Sequence, residues 1–471
     1  MFDEIHEECG VFGAYRLKDA ASLTYYGLHS LQHRGQEASG IAVCSENGIE
    51  VVKGKGLTID VFNRQKLDRL KGECAIGHVR YSTAGGQEYQ NIQPIAATGA
   101  LGEIAVVHNG QIVNDRELRR HLEDEGCIFQ GTSDSEIILH LINRESGTLL
   151  ERTMKTARQL VGAFSFLVMQ DDHIIAVRDR YGLRPLSYVR DQKGYLISSE
   201  TCAFEVMGIY ESTDIEPGQL VDFTRGLAIP YQYEDPKKCS MNMCGMEYIY
   251  FARPDSVIEG QNVHSVRKET GRQLARKDRD LHADIVIGVP DSSLSAAMGY
   301  SEEAEIPLET GLVKNRFVTR TFIQPTQSMR DRGVRMKLSP IPSVVKGKSV
   351  VMIDDSIVRG TTSRRIVRLI REAGAREVHV RIASPIIEWP CFYGVDTSTR
   401  KELIGANLSL EEIRDYIQAD SLKFLECDEV REAAAPVGLC MACFDGRYCS
   451  PLFSHQKSLD DNLEDEAERG C

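Results

Sequence analysis

The 471-residue sequence has no apolar run approaching the 18 or more residues that a membrane-spanning helix requires. Net positive charge is also missing: 69 Asp and Glu against 56 Lys and Arg leave a formal charge of −13. A nucleic-acid partner would need a basic face, so that partner class is not expected. The opening MFDEIHEE is acidic and lacks the basic start of a secretory signal. There is no internal repeat and no low-complexity tract. A cytoplasmic globular protein is the expectation, with which 42% hydrophobic and 27% charged residues agree. This length implies two or three domains, each large enough for its own core. Cysteine, by contrast, is plentiful. Thirteen of them in such a protein suggest free thiols, metal ligands or catalysis rather than disulfides.

The chain is organised around Val350 to Arg365, VVMIDDSIVRGTTSRR. Val350 to Ile353 read as a buried strand, followed by two adjacent acids, Asp354 and Asp355. A loop of small and hydroxyl residues, Ser356 to Thr362, contains Gly360. The spacing of Ile366, Leu369 and Ile370 predicts a helix from about Thr362, stopped at Gly374. The strand Val378 to Ser384 then completes a βαβ unit. Such a unit favours a phosphate ligand. Backbone N–H groups of Arg359 to Thr362 fall at a helix N-terminus, Gly360 allows close approach, and Thr361 and Thr362 add hydroxyl donors. Two carboxylates at the strand's C-terminal edge suit ribose hydroxyls or a hydrated Mg²⁺. An ordinary capped turn uses the same residue types. What separates the two readings is that the stretch resembles the phosphoribosylpyrophosphate (PRPP) signature of type I phosphoribosyltransferases. That resemblance implies ribose hydroxyls on Asp354 and Asp355 and the 5-phosphate in the loop from Ser356 to Thr362.

A second strand–loop–helix precedes it, in HADIVIGVPDSSLSAAMGYSEE: strand Asp284 to Val289, turn Pro290 to Ser293, then a helix of small residues. The resemblance makes this the pyrophosphate loop, with Asp291 and Ser292 the matching polar positions and Ser292 a candidate for a metal-bridged contact. The arginine-rich Leu312 to Pro340 reads by default as a solvated basic surface. The family places a flexible loop here that folds over PRPP and closes the path for ammonia. Lys314, Arg316, Arg335 and Lys337 are then candidate pyrophosphate contacts.

In the first half, Cys9 stands between the acidic leader and the strand-like Gly10 to Ala14. A lone cysteine there is ordinarily a buried apolar residue. Five downstream segments change that reading: HSLQHRGQEASGIAV (His29 to Val43), GHVRYSTAGG (Gly77 to Gly86), VVHNGQIVN (Val106 to Asn114), GTSDSE (Gly131 to Glu136) and GAFSF (Gly162 to Phe166). In this order they resemble the glutaminase domain of class II, N-terminal-nucleophile amidotransferases. The fold implied is an αββα sandwich. Cys9 matches the nucleophile, whose own α-amine serves as base. An α-amine with pKa near 8 can accept a thiol proton at neutral pH. The leader would therefore be cleaved between Glu8 and Cys9. Asn109 and Gly110 match the oxyanion hole, Arg80 the holder of the glutamine α-carboxylate, and Asp134 the acceptor of its α-ammonium. Arg34 and Gly35 lie in a loop that shapes the site.

Beyond GAFSF, Ile174 to Asp179 and Tyr195 to Glu200 read as strands, with Arg180 to Leu186 a turn between them. Glu216 to Phe223 opens a last hairpin, Asp235 to Cys244 is the linker, and Met246 to Ser256 is expected to open the second domain as an aromatic strand. The domains expected are a propeptide at 1–8, a glutaminase domain at 9–235, a phosphoribosyltransferase domain at 244–457 and an acidic tail at 458–471.

Cys440 and Cys443 form a C-x-x-C pair, which needs two more ligands for a tetrahedral metal or a cubane cluster. The alternative is buried thiols without a metal. Resemblance to the cluster-bearing subset of the glutamine PRPP amidotransferases implies a [4Fe–4S] cluster on Cys244, Cys391, Cys440 and Cys443. Cys239 rivals Cys244, while Cys427, Cys449 and Cys471 have no assigned partner. The whole chain except leader and tail resembles that family. The resemblance implies Mg²⁺ as a second cofactor, purine nucleotides as inhibitors and a homotetramer. Two rivals remain: another class II amidotransferase, which would lack the PRPP signature, and a non-catalytic PRPP or nucleotide sensor, which would not need Cys9, Arg80, Asn109 and Asp134 together.

Overall fold

The computed structural model describes residues 9–81, 88–99, 102–315, 338–395, 397 and 399–450. Among the described residues the first half contains two antiparallel sheets. The seven-stranded sheet runs, across its width, Thr213–Asp214, Ser187–Asp191, Gly194–Ser198, Gly10–Tyr15, Cys74–Arg80, Ala38–Ser45 and Gly48–Lys55. The six-stranded sheet runs Leu227–Gln232, Gln219–Thr224, His173–Arg178, Gly162–Gln170, Gly102–Ile112 and Ile95–Gly99. Val11, Tyr15, Ile76, Val107, Leu167 and Val221 fill the space between the sheets. The outer face of the first sheet is covered by the helix Ala20–Ser30, through residues such as Leu28. That of the second is covered by Ser135–Arg144 and Leu149–Gln159, through Ile138, Ile142 and Ala157. The αββα sandwich follows from strands that are apolar on both faces, each needing cover on two sides.

The second half is built on a parallel sheet in the order Ile285–Gly288, Ser349–Asp354, Glu377–Ile382, Ser421–Phe424. The helix Thr361–Glu372 connects the second and third strands and buries Ile366, Val367 and Ile370 against Met352 and Val380. It begins one residue before the expected Thr362, and Gly374, at φ 100°, lies just past its end. On the opposite face, Val263–Arg276 packs on Leu294–Ala304 so tightly that a Cβ on Gly299 would stand 1.8 Å from the Lys268 carbonyl oxygen.

One sequence expectation is wrong. The segment after Met246 is not a strand: Glu247–Phe251 forms a π-helical turn, closed by the Ala252 N–H on the Glu247 carbonyl at 3.0 Å. Its aromatic, apolar run suggested a strand, but a strand must find a ladder. Here Arg267 donates from Nε to the Tyr248 carbonyl at 2.6 Å and from Nη2 to the Ala252 carbonyl at 2.8 Å. The expected linker is also partly structured. It makes a 3₁₀ turn at Pro236–Lys238, and Met243–Cys244 pairs in parallel with Leu439–Cys440. No helix among the described residues is long and apolar enough to cross a membrane.

Candidate active sites

The strand Gly10–Tyr15 pairs with Cys74–Arg80, Gly10 opposite Val79, which sets Cys9 beside the end that carries Arg80. The Cys9 thiol donates to the Tyr81 carbonyl at 3.5 Å. His78, two residues before Arg80, donates from Nε2 to the His108 carbonyl at 3.0 Å and so ties this end to the second sheet, one residue before Asn109. Burial and the Arg80 charge push the His78 imidazole down to about 3. Gln93 joins the same point, accepting from the His108 N–H at 2.6 Å and donating to its carbonyl at 3.2 Å. Asp134 stands at the start of the helix Ser135–Arg144, and its Oδ2 accepts from the Ile112 N–H at 2.9 Å. These bonds gather Cys9, Arg80, Asn109, Gly110 and Asp134 at one end of the sandwich.

Asn109 is fully buried, and neither its amide oxygen nor its nitrogen has a hydrogen-bond partner among the described residues. Burying an unpaired amide costs about 1–3 kcal/mol. Gly110 has φ 135°, and a Cβ there would lie 2.1 Å from the Ala163 carbonyl oxygen. Gly35 is forced in another way: a Cβ would come within 2.6 Å of the Arg80 backbone, so the QHRGQ loop presses flat on the strand end. Arg34 is placed behind Cys9. Only 1% exposed, it donates from Nε to the Cys9 carbonyl at 3.1 Å and grips Glu200 and Glu247 with its other edge.

In the second half, the Val289 N–H on the Ile353 carbonyl at 2.9 Å aligns the loop after Gly288 with the acid pair. Ser292 donates to Asp355 Oδ2, Ser293 to Asp354 Oδ1 at 3.2 Å, and Ser356 to Asp355 Oδ1 at 2.7 Å. Burial, and the charge of Asp355 beside it, push the Asp354 carboxyl well above its ordinary range. Gly360, at φ 76°, turns the chain into the helix at Thr361 and Thr362. The Arg359 guanidinium pairs with Glu402. Lys314 reaches Asp291 at 3.0 Å, both largely exposed. Arg316, Arg335 and Lys337 lie outside the described residues, as do the leader and the acidic tail. A narrow cleft lies between Tyr248 and Ile249 of the π-turn and Ser292 and Asp355, with Arg267 in its wall.

The four cysteines selected for a cluster lie in one region. Cys244 and Cys440 are register partners, the Glu388 and Trp389 N–H groups bond the Cys443 carbonyl, and the charges of Cys391, Cys244 and Cys440 all bear on Cys443. Burial pushes the Cys391 thiol up to about 11. Among the described residues no three His, Cys, Asp or Glu side chains converge as ligands of a metal ion. Cys239 stands apart, donating to the Asp235 carbonyl. The sequence reading left Cys449, whose thiol bears on Cys440, without a partner, and it missed the buried Glu200, Glu247 and Arg267. The last three partner residues too distant in sequence to leave a local signal.

Comparison with known proteins defines the class first: residues 78–206 match the glutamine amidotransferase domain family and residues 261–386 the phosphoribosyl transferase domain family. An amidophosphoribosyltransferase of Bacillus subtilis (strain 168) is 49% identical over 461 residues, 95% of each chain. One of Staphylococcus aureus (strain Mu50) is 46% identical, over 98% of this chain and 95% of its own. The solved B. subtilis glutamine PRPP amidotransferase complexed with ADP and GMP superposes with a TM-score of 0.86 at 48% identity, covering 93% of this chain and 97% of that one. A second structure, described as the allosteric regulatory enzyme of purine biosynthesis, gives 0.88 at 49% identity over 93% and 96%. The chain belongs to the amidophosphoribosyltransferase family.

Proposed function

We propose that this chain converts glutamine, PRPP and water to 5-phosphoribosylamine, pyrophosphate and glutamate, the first committed step of purine synthesis. Removal of residues 1–8 would free the Cys9 amine to take the thiol proton. The thiolate attacks the glutamine side-chain amide. The tetrahedral oxyanion accepts from the Asn109 amide and the Gly110 N–H, and its collapse expels ammonia and leaves a thioester that water hydrolyses. Arg80 and Asp134 hold the two ends of the amino acid. Ammonia crosses to the second site and attacks C1 of PRPP as pyrophosphate leaves, in a site closed to water. Asp354 and Asp355 bind the ribose, and the loop from Ser356 to Thr362 binds the 5-phosphate.

Asn109 supports the glutaminase reading most strongly. A buried amide without a partner is costly, and the oxyanion of the reaction is an acceptor that would satisfy its Nδ2 donor.

Ser292, Asp354 and Asp355 would hold Mg²⁺ or its waters; two adjacent buried carboxylates, of which Asp355 helps push Asp354 up, suit a hard cation with oxygen ligands. When bound, that ion supplies positive charge to the diphosphate. Cys244, Cys391, Cys440 and Cys443 would hold a [4Fe–4S] cluster as a structural tie for the C-terminal segment; their thiols lie in one region on three segments, though among the described residues they do not converge as metal ligands. Anaerobically purified protein should then contain iron and sulfide. Feedback by purine nucleotides and a homotetrameric assembly belong to the same reading.

The experiment is pyrophosphate release from PRPP and Mg²⁺ with glutamine and with ammonia as separate donors. Activity with both supports the proposal. Activity with ammonia alone would mean that Cys9 is unprocessed or misassigned, and none with either donor would overturn it.

A further inference from the structure

The phosphoribosyltransferase half reaches the nucleophile of the other half from behind. Arg34, whose Nε holds the Cys9 carbonyl at 3.1 Å, is gripped by two carboxylates from opposite sides of the domain boundary. Glu200 accepts from Nη1 at 2.6 Å. Glu247, 213 residues from Arg34, accepts from Nη1 at 2.9 Å and from Nη2 at 2.7 Å, a bidentate pair. Arg184 Nη1 adds a second cation 3.7 Å from Glu247 Oε1. None of the four side chains is more than 1% exposed.

Buried ion pairs are a poor source of stability compared with apolar packing, and they are geometrically exacting. A bidentate carboxylate fixes the plane of a guanidinium. Here that plane fixes the backbone of the one residue whose amine and thiol must both be aimed. Glu247 itself sits on the π-helical turn Glu247–Phe251, an irregularity more frequent at functional positions than elsewhere in helices. Arg267 locks the far side of the turn by bonding the Tyr248 and Ala252 carbonyls, and the charge of Asp355 in the PRPP site bears on that guanidinium.

We propose that Glu247 is a positioning residue for glutamine hydrolysis: through Arg34 it fixes the Cys9 carbonyl and with it the aim of the nucleophile. The proposal rests on the reading of Cys9 given above. The glutaminase of this chain thereby depends on a carboxylate supplied by the phosphoribosyltransferase half.

The test is steady-state kinetics of the full-length Glu247→Gln and Glu247→Asp variants beside the parent, with glutamine hydrolysis and ammonia-dependent pyrophosphate release measured on the same samples. For Glu247→Gln, kcat for glutamine hydrolysis should fall roughly ten- to a hundredfold, while KM for glutamine and the ammonia-dependent rate stay within about twofold. Glu247→Asp, which keeps the charge, should recover part of the loss. It also carries the test if the glutamine variant does not fold, then showing a smaller fall in kcat with the same unchanged KM. An unchanged kcat, or parallel losses with both nitrogen donors, would overturn the proposal. A parent protein that begins at Cys9 and makes phosphoribosylamine from ammonia but hydrolyses no glutamine would instead overturn the Cys9 reading on which it rests.

Discussion

At the scale of single residues, Asn109 and Glu200 show two uses of burial. Asn109 is held with an unpaired amide, so its loss should cost catalysis and little stability. Asn109→Ala should lower kcat for glutamine hydrolysis by about 10²–10³, the usual cost of one oxyanion donor, and leave ammonia-dependent synthesis intact. Equal losses in both assays would contradict that role. For Glu200, burial alone would raise the carboxyl, but the charges of His33 and Arg34 and the hydrogen bonds from His33 and Ser256 override it. The carboxyl is therefore held well below its ordinary value of 4.5. A depressed carboxyl stabilises fully above pH 4.5 and loses that contribution as pH falls below it. Glu200→Gln should cost about 3–5 kcal/mol at pH 7, because it leaves Arg34 short of a partner. Denaturant titrations of the variant should also show a flatter loss of stability below pH 4.5 than the parent does. The positions proposed to react, Cys9, Asn109, Gly110, Asp354 and Asp355, could be singled out from the sequence because the chemistry proposed for them tolerates few substitutes. Glu200 and Glu247 were not, because their partner Arg34 is 166 and 213 residues away.

At the scale of elements, the strand Ser349–Asp354 and the loops it brings together decide the phosphoribosyl site. Its boundaries, its following helix and the neighbouring Ile285–Gly288 strand were legible from apolar runs punctuated by Gly and Asp. The π-turn at Glu247–Phe251 was not, since a run such as EYIYF has no periodicity to separate a buried strand from a buried turn, and Arg267 makes the choice from another helix. The raised Asp354 carboxyl carries a prediction with a definite sign. Its folded pKa lies above the ordinary 3.8, so the charge it is made to bear at higher pH destabilises the fold unless a cation answers it. Asp354→Asn should therefore raise Tm of the Mg²⁺-free protein at pH 8, by about 2–4 °C for each kcal/mol relieved, and by less at pH 5. Mg²⁺ should raise Tm of the parent and not of the variant, and the variant should lose PRPP-dependent activity. A lower Tm for the variant at pH 8 would place the pair among structural, not ligand-binding, groups.

At the scale of the molecule, two folds are joined through buried polar contacts and a small apolar cluster shared by Ala163, Leu183, Tyr393 and Ala442, and this joint was the part least visible beforehand. Arg34 and Arg184 of the first half meet Glu247 of the second, and Arg184 also reaches the Tyr393 carbonyl at 2.5 Å. Met243–Cys244, expected as the end of a linker, is instead paired with Leu439–Cys440, so the chain's crossing point is stitched to its C-terminal segment. A joint built this way suits two sites that hand over a neutral, diffusible intermediate. The most direct measurement is nitrogen transfer from glutamine labelled with ¹⁵N in its side-chain amide, run with PRPP, Mg²⁺ and unlabelled ammonium in the medium at neutral pH, where most free ammonia is protonated. If the two sites work as one, the phosphoribosylamine carries ¹⁵N well beyond its share of the total ammonia pool. Product whose label merely matches the bulk pool would contradict the account.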